Sequence, residues 1–145
     1  MGFWIELITH RLFIACVLTA IVAQLIKMIL VSVKTGRIEW NVFGLPGGMP
    51  SSHAAVVVAM TGGIYWQQGV TPLTIAAGVI AAIVIYDALT LRRAVGKQSE
   101  ALNNLAKKLK IKGHKKVQSL LGHKVVEIIA GGVLGYVIAW AAFHL

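Results

Sequence analysis

Three long apolar stretches restrict what this chain can fold into. They cover residues 12–33, 73–91 and 125–143, each close to the roughly 20 residues that a helix needs to cross a bilayer. A fourth stretch, residues 54–66, has 13 residues, a length typical of a buried core helix, a re-entrant segment or a tilted span. We therefore expect an all-α integral membrane helical bundle with about four membrane-embedded helices, one of them short or re-entrant.

Composition agrees with one membrane-embedded domain over residues 1–145. The chain is 57% hydrophobic and 13% charged, whereas an average soluble domain has about 25% charged residues. The first apolar stretch contains Gln24 and Lys27 and is not followed by a small-x-small cleavage pattern, so it does not resemble a removable signal peptide. Cys16 is the single cysteine, which excludes an internal disulfide.

The basic residues predict an orientation. Ten of the 14 Lys and Arg residues lie within residues 92–124, between the third and fourth predicted helices. Such a cluster could bind nucleic acid, but between two spans it indicates a cytoplasmic loop that contacts anionic lipid, so we expect no nucleic-acid partner. The predicted location is a bacterial-type plasma membrane.

Turn-forming residues divide the remaining chain. Residues 34–50 are rich in Gly and Pro, which stop helices and form tight turns, and Ser51 or Ser52 can cap the helix that follows. Gly69 and Pro72 are placed to end one helix and begin the next. Residues 92–122 are predicted to be a polar loop with a short helix around residues 100–109.

Polar residues from separate parts of the chain are predicted to meet at the cytoplasmic ends of the helices. Ionisable residues in membrane spans are costly and are candidates for function. The converging residues are Lys27, His53, Asp87, Arg92, Arg93, His123 and Glu127.

Two segments carry chemistry that suits a phosphate ester. His123 and Glu127 are four residues apart on one helix face, where a carboxylate can orient an imidazole that attacks or moves protons; a structural polar pair is the alternative. Residues 47–53 form a Gly-Pro turn that leads into a helix N-terminus, which favours anions, with His53 placed to protonate a leaving oxygen. The alternative is an ordinary capped loop.

The remaining polar residues allow several interpretations. Arg92 and Arg93 can hold phosphate in bidentate fashion or simply flank a span. Asp87 can be a counter-ion for them or for Lys27. A metal site from His and carboxylate side chains is chemically possible, but the chain lacks a compact ligand motif, so we expect no metal and no cofactor.

These motifs resemble a known family. Residues 50–53, Pro-Ser-Ser-His, look like the Pro-Ser-Gly-His motif of the type 2 phosphatidic acid phosphatase superfamily, which includes vanadium-dependent haloperoxidases. Residues 123–131 are similar to its last motif, His-x-x-x-Asp followed by an apolar pair, Ala and Gly, with Glu127 in place of Asp. The likeness is greatest to its divergent branch of small membrane proteins, over about residues 24–135. The other matching segments are residues 47–49, 86–93, 102–103 and 121–122.

The resemblance implies a metal-independent lipid phosphate phosphatase with a phosphohistidine intermediate. His123 would be the nucleophile, Glu127 would orient it, and His53 would be the general acid. The residues that would bind phosphate are Lys27, Ser51, Ser52, Arg92 and Arg93. The supporting residues would be Asp87, Gly48 and Asn103.

Two motifs depart from the superfamily pattern. Its first motif, Lys-x6-Arg-Pro, reads Lys27 and Lys34 here with no Arg-Pro, and the Ser-Arg expected before the nucleophile reads Lys116-Val117. The expected substrate is a membrane lipid of the phosphatidylglycerophosphate, phosphatidic acid or prenyl-phosphate class. The alternatives are a non-catalytic lipid-phosphate-binding membrane protein and a small transporter. The superfamily fold has about six helices, so a homodimer could supply missing packing.

Overall fold

The computed structural model describes residues 2–38, 40, 48–111, 117 and 125–145, with the backbone alone for residues 91–93. Within these residues the chain forms six helices and no strand, which confirms the predicted all-α fold. The helices are α1 (Gly2–Thr9), α2 (Arg11–Thr35), α3 (Ser52–Gln68), α4 (Pro72–Leu89), α5 (Leu91–Lys108) and α6 (Val125–His144).

Local capping explains where the central helices begin and end. The Ser51 hydroxyl accepts a hydrogen bond from the Ala54 N–H (3.3 Å), which caps α3 as predicted. Gly69 ends α3, and Thr71 and Thr74 form a capping box around Pro72 at the first position of α4. The predicted turn between the apolar stretches at residues 54–66 and 73–91 is therefore confirmed.

Three helical segments in the described residues are long and apolar enough to cross a membrane. They are α2 (Arg11–Thr35), the segment Pro72–Lys108, which comprises α4 and α5, and α6 (Val125–His144). The remaining long helix, α3, has 17 residues and spans about 26 Å, the lower limit for a membrane-spanning helix. It packs against α2, α4 and α6, and α2 also packs against α6. The short apolar stretch thus forms the centre of an integral membrane bundle.

Small residues form the contacts inside the bundle. Gly131 and Gly135 of α6 face α3, where a Cβ atom would overlap the carbonyl oxygens of Ser51 and Ala55, respectively. Large apolar side chains instead point outward, as Ile83 and Ile129 do. This arrangement is typical of membrane helices, which associate through close packing because lipid chains are as apolar as the helix surface.

The direction of each helix follows from these contacts. The pairing of Gly131 and Gly135 with Ser51 and Ala55 makes α3 and α6 parallel. Leu12, at the start of α2, lies at the opposite end beside Gly63 and Phe143, so α2 is antiparallel to both. The short turn after Gly69 makes α4 antiparallel to α3 as well.

The extent of one predicted helix was wrong. The short helix expected at residues 100–109 is α5, which starts directly after α4 and covers Leu91–Lys108. Arg92 and Arg93 accordingly lie in the first turn of α5 and do not end the preceding helix. The charge of this segment suggested a loop, but its residues are mostly good helix formers and it contains no proline.

Replacing Gly135 with Ala should destabilise the protein, because the added Cβ meets the backbone of Ala55, which cannot rotate away as a side chain can. Overpacking of this kind typically costs about 1–3 kcal/mol. We expect a lower thermal unfolding midpoint in detergent.

Gly132→Ala is the matched control, since its Cβ would lie 3.8 Å from a Val58 methyl group in ordinary contact. Equal midpoints for the two variants would contradict the close packing of α3 on α6.

Candidate functional site

Several of the predicted site residues lie at one end of the bundle. This end contains the C-terminal part of α2, the start of α3, the end of α4 and the start of α6. Ala54, Ala88 and Ile128 form a buried cluster there, which joins three of these helices. The chain neighbours of this cluster include His53, Asp87 and Glu127, so the fold brings these helix ends together as predicted.

Lys27 is buried beneath the loop that precedes α3. Its side chain is 6% exposed, and a Cβ atom on Gly48 would lie 3.1 Å from its Cε atom. Gly48 also has a φ of 85°, which an L-residue with a side chain rarely adopts. Glycine is therefore required here both for the backbone conformation and for the approach of the loop to the lysine.

Ser51 connects this loop to α3 and α6. It is fully buried, and its N–H donates to the carbonyl oxygen of Glu127 (2.9 Å). Its own carbonyl accepts from the Ala55 N–H (3.0 Å) and lies against Gly131. The Ser51 hydroxyl caps α3, so the structure gives this residue a clear architectural role beside its predicted role in phosphate binding.

Charge and helix geometry at this end favour an anion. Glu127 is half-buried in the first turn of α6 and interacts electrostatically with the Lys27 ammonium group. Ser52 and His53 form the first turn of α3, where backbone N–H groups and the helix dipole attract negative charge. His53 is exposed, as expected for a residue at the lip of a site.

Asn103 binds the backbone of Val117, 14 residues further along the chain. Its side-chain amide donates to the Val117 carbonyl (2.7 Å), and its side-chain oxygen accepts from the Val117 N–H (2.9 Å). Both backbone groups of Val117 are thus paired with one side chain of α5. Sequence reasoning identified Asn103 only as a supporting residue and gave no partner for it.

The other predicted site residues come from the end of α4, the start of α5 and a position outside the described residues. Asp87 is half-buried near the end of α4. The backbone places Arg92 and Arg93 at the start of α5, and His123 lies outside the described residues. Within the described ranges, no group of three or more His, Cys, Asp or Glu side chains could hold a metal ion.

Sequence reasoning missed the contact of Lys27 with Gly48 and the contact of Gly131 with Ser51. The four-residue spacing of Gly131 and Gly135 signals close helix packing. It does not identify the partner helix, because small residues occur on every helix of the bundle.

Comparison with known proteins agrees with the sequence motifs. Residues 8–138 match the divergent PAP2 family. The chain is also similar to the uncharacterized membrane protein YuiD of Bacillus subtilis, with 30% identity over 145 aligned positions that cover 90% of this chain and 92% of the relative. No solved structure gives a significant match.

Replacing Asn103 with Ala should release Val117, because both hydrogen bonds to its backbone are lost. We expect faster hydrogen exchange at the Val117 amide with little change in thermal stability.

Asn104→Ala is the matched control, since Asn104 is the exposed neighbour on the same helix. Unchanged hydrogen exchange at Val117 in the Asn103 variant would show that the two hydrogen bonds are absent in solution.

Proposed function

Because the chain belongs to the divergent PAP2 family, we propose that it is a phosphatase that removes phosphate from a membrane lipid. The observation that carries this proposal is the meeting of Lys27, Gly48, Ser51 and Glu127 at one end of a membrane bundle. A buried cation beside a helix N-terminus is suited to a phosphate group at the membrane surface. Glu127, in the first turn of α6, follows His123 by four residues in the sequence.

In the proposed reaction, an imidazole nitrogen of His123 attacks phosphorus as the bond to the lipid oxygen breaks. His53 protonates that oxygen, and the lipid alcohol leaves. Water then gives a proton back to His53, attacks the phosphohistidine and releases inorganic phosphate, which restores both histidines. Glu127 keeps the imidazole in the tautomer that attacks and offsets its positive charge. No step requires a metal.

Phosphoryl transfer depends mainly on positioning and on positive donors for the equatorial oxygens. Lys27 supplies a buried charge, and the start of α3 supplies oriented N–H groups. Arg92 and Arg93 are proposed as further donors, since the start of α5 follows the end of α4 at the same end of the bundle.

The basic residues indicate which lipids reach the site. We propose that this end of the bundle faces the cytoplasm of a bacterial-type plasma membrane, because the positive-inside rule favours a cytoplasmic location for the basic residues 92–124. Substrates made there include phosphatidylglycerophosphate and phosphatidic acid. A prenyl phosphate presented at the outer face would fit this orientation less well.

A protein that binds a lipid phosphate without hydrolysing it is the second candidate. The departure at Lys34, where the superfamily has Arg-Pro, favours it, because one phosphate-binding arginine is then missing. A transporter is less favoured, because its polar residues should run along the whole span. In the described part of the chain the charged residues of α3, α4 and α6 lie at one end apart from His144.

Replacing His123 with Ala should abolish phosphate release from lipid phosphates, because no nucleophile remains. Release is measured with purified protein in detergent, with a chelator present, on a panel of phosphatidic acid, phosphatidylglycerophosphate and a prenyl phosphate.

His144→Ala should retain activity, since His144 lies at the far end of α6. Undiminished release by the His123 variant in an active preparation would contradict the histidine mechanism. If wild-type protein binds these lipids but releases nothing, the binding function is favoured instead.

Replacing Lys27 with Met should reduce kcat by about 100-fold or more, the typical effect of removing a preorganised donor to the transition state. Methionine keeps the length and apolar stem of the buried side chain, so the fold should persist. Steady-state rates and the thermal unfolding midpoint test both expectations.

Lys34→Met is the control from the same helix, one position of the altered first motif, and Lys34 is exposed. Equal losses in the two variants would show that burial of Lys27 has no special role. A loss of kcat in the Lys34 variant alone would indicate that Lys34, and not Lys27, binds the phosphate.

A further inference from the structure

An apolar groove lies between α2 and α6, directly beside the candidate site. Its volume is about 430 Å³, within the roughly 300–1,000 Å³ of ordinary ligand pockets. Its lining includes Ile26, Leu30, Pro50, Ala130, Leu134 and Val137.

Several lining residues are chain neighbours of residues in the candidate site. Ile26 immediately precedes Lys27, and Pro50 immediately precedes Ser51. On α6, Ala130 lies about one turn beyond Glu127, and the lining continues to Val137. A molecule in the groove would therefore have one end near Lys27 and the start of α3 and the other inside the membrane.

We propose that this groove binds the hydrocarbon tail of the lipid whose phosphate binds at Lys27 and the start of α3. The inference rests on the proposed function and adds the location of the tail. A phosphorylated lipid has a negative head that suits Lys27 and the start of α3, and an apolar chain that suits the neighbouring groove. From Ala130 to Val137 the groove follows α6 for about 10 Å, enough for part of one chain.

The groove distinguishes substrates by the shape of the hydrocarbon tail and not by its apolarity. A tail that leaves the bilayer for the groove exchanges one apolar environment for another, so burial of apolar surface adds little affinity. What the groove contributes is position, since it fixes the chain and thereby holds the phosphate in line with its attacker. Filling the groove should therefore impair long-chain substrates selectively and leave small phosphate esters unaffected.

The first experiment uses wild-type protein and phosphatidic acid with a photoactivatable diazirine in its tail. Labelling should map to the α2 and α6 residues of the groove. Excess unlabelled phosphatidic acid should suppress this labelling, whereas phosphatidylcholine with the same chains should not. Labelling elsewhere, or equal suppression by both lipids, would overturn the proposal, since the groove would then hold no substrate or any bilayer lipid. The result does not depend on turnover.

The second experiment fills the groove with Leu134→Trp and compares Ile129→Trp, a change on the same helix at a position that is 60% exposed and outside the groove. The Leu134 variant should lose about tenfold or more in kcat/KM for long-chain phosphatidic acid, as expected when a chain no longer fits its pocket. Its activity on a water-soluble phosphate monoester should be retained, and the Ile129 variant should keep both activities. Parallel loss on both substrates would contradict a tail site.

The two proposals can fail separately. If phosphatidic acid suppresses labelling of the groove but no phosphate is released, the phosphatase proposal is contradicted and the tail-site proposal is retained. Phosphate release with no labelling of the groove would retain the phosphatase and overturn the tail site.

Discussion

The backbone contact between α3 and α6 determines where the other parts of the candidate site lie. Ser51 donates its N–H to the Glu127 carbonyl, and Gly131 leaves room for the Ser51 carbonyl. A side chain at Gly131 would move the start of α3 away from α6. The Ser51 loop would then no longer lie between Lys27 and the first turn of α6, and the proposed phosphate site would open.

The membrane explains why the interior has small residues and the surface has large ones. Lipid surrounds the bundle, so burial of large apolar side chains gives little advantage, and close approach of helix backbones gives most of the packing energy. The same environment makes a buried charge costly. Interaction with Glu127 offsets part of the cost of burying the Lys27 charge.

The two lysines of the altered first motif differ in their structural surroundings. Of the two lysines at the first motif, Lys27 is buried under the loop of Gly48 while Lys34 is exposed near the end of α2. The proposed site would hold phosphate with one buried lysine and a helix start. The apolar groove beside it would fix the substrate through its tail.

The sequence alone determined the membrane class, the main helices, the cap at Ser51 and the turn at Gly69 and Pro72, because hydropathy, length, capping and turn formation depend on residues close together in the chain. It also predicted which helix ends carry polar residues, while the roles of His123, His53 and Glu127 stay predictions. It misplaced the start of α5, since the charges there suggested a loop. Only the tertiary structure decided that α3 is central, that Gly48 covers Lys27 and that Asn103 holds Val117. These contacts join residues far apart in the chain, and small residues on every helix permit several packings whose choice depends on shape across the whole bundle.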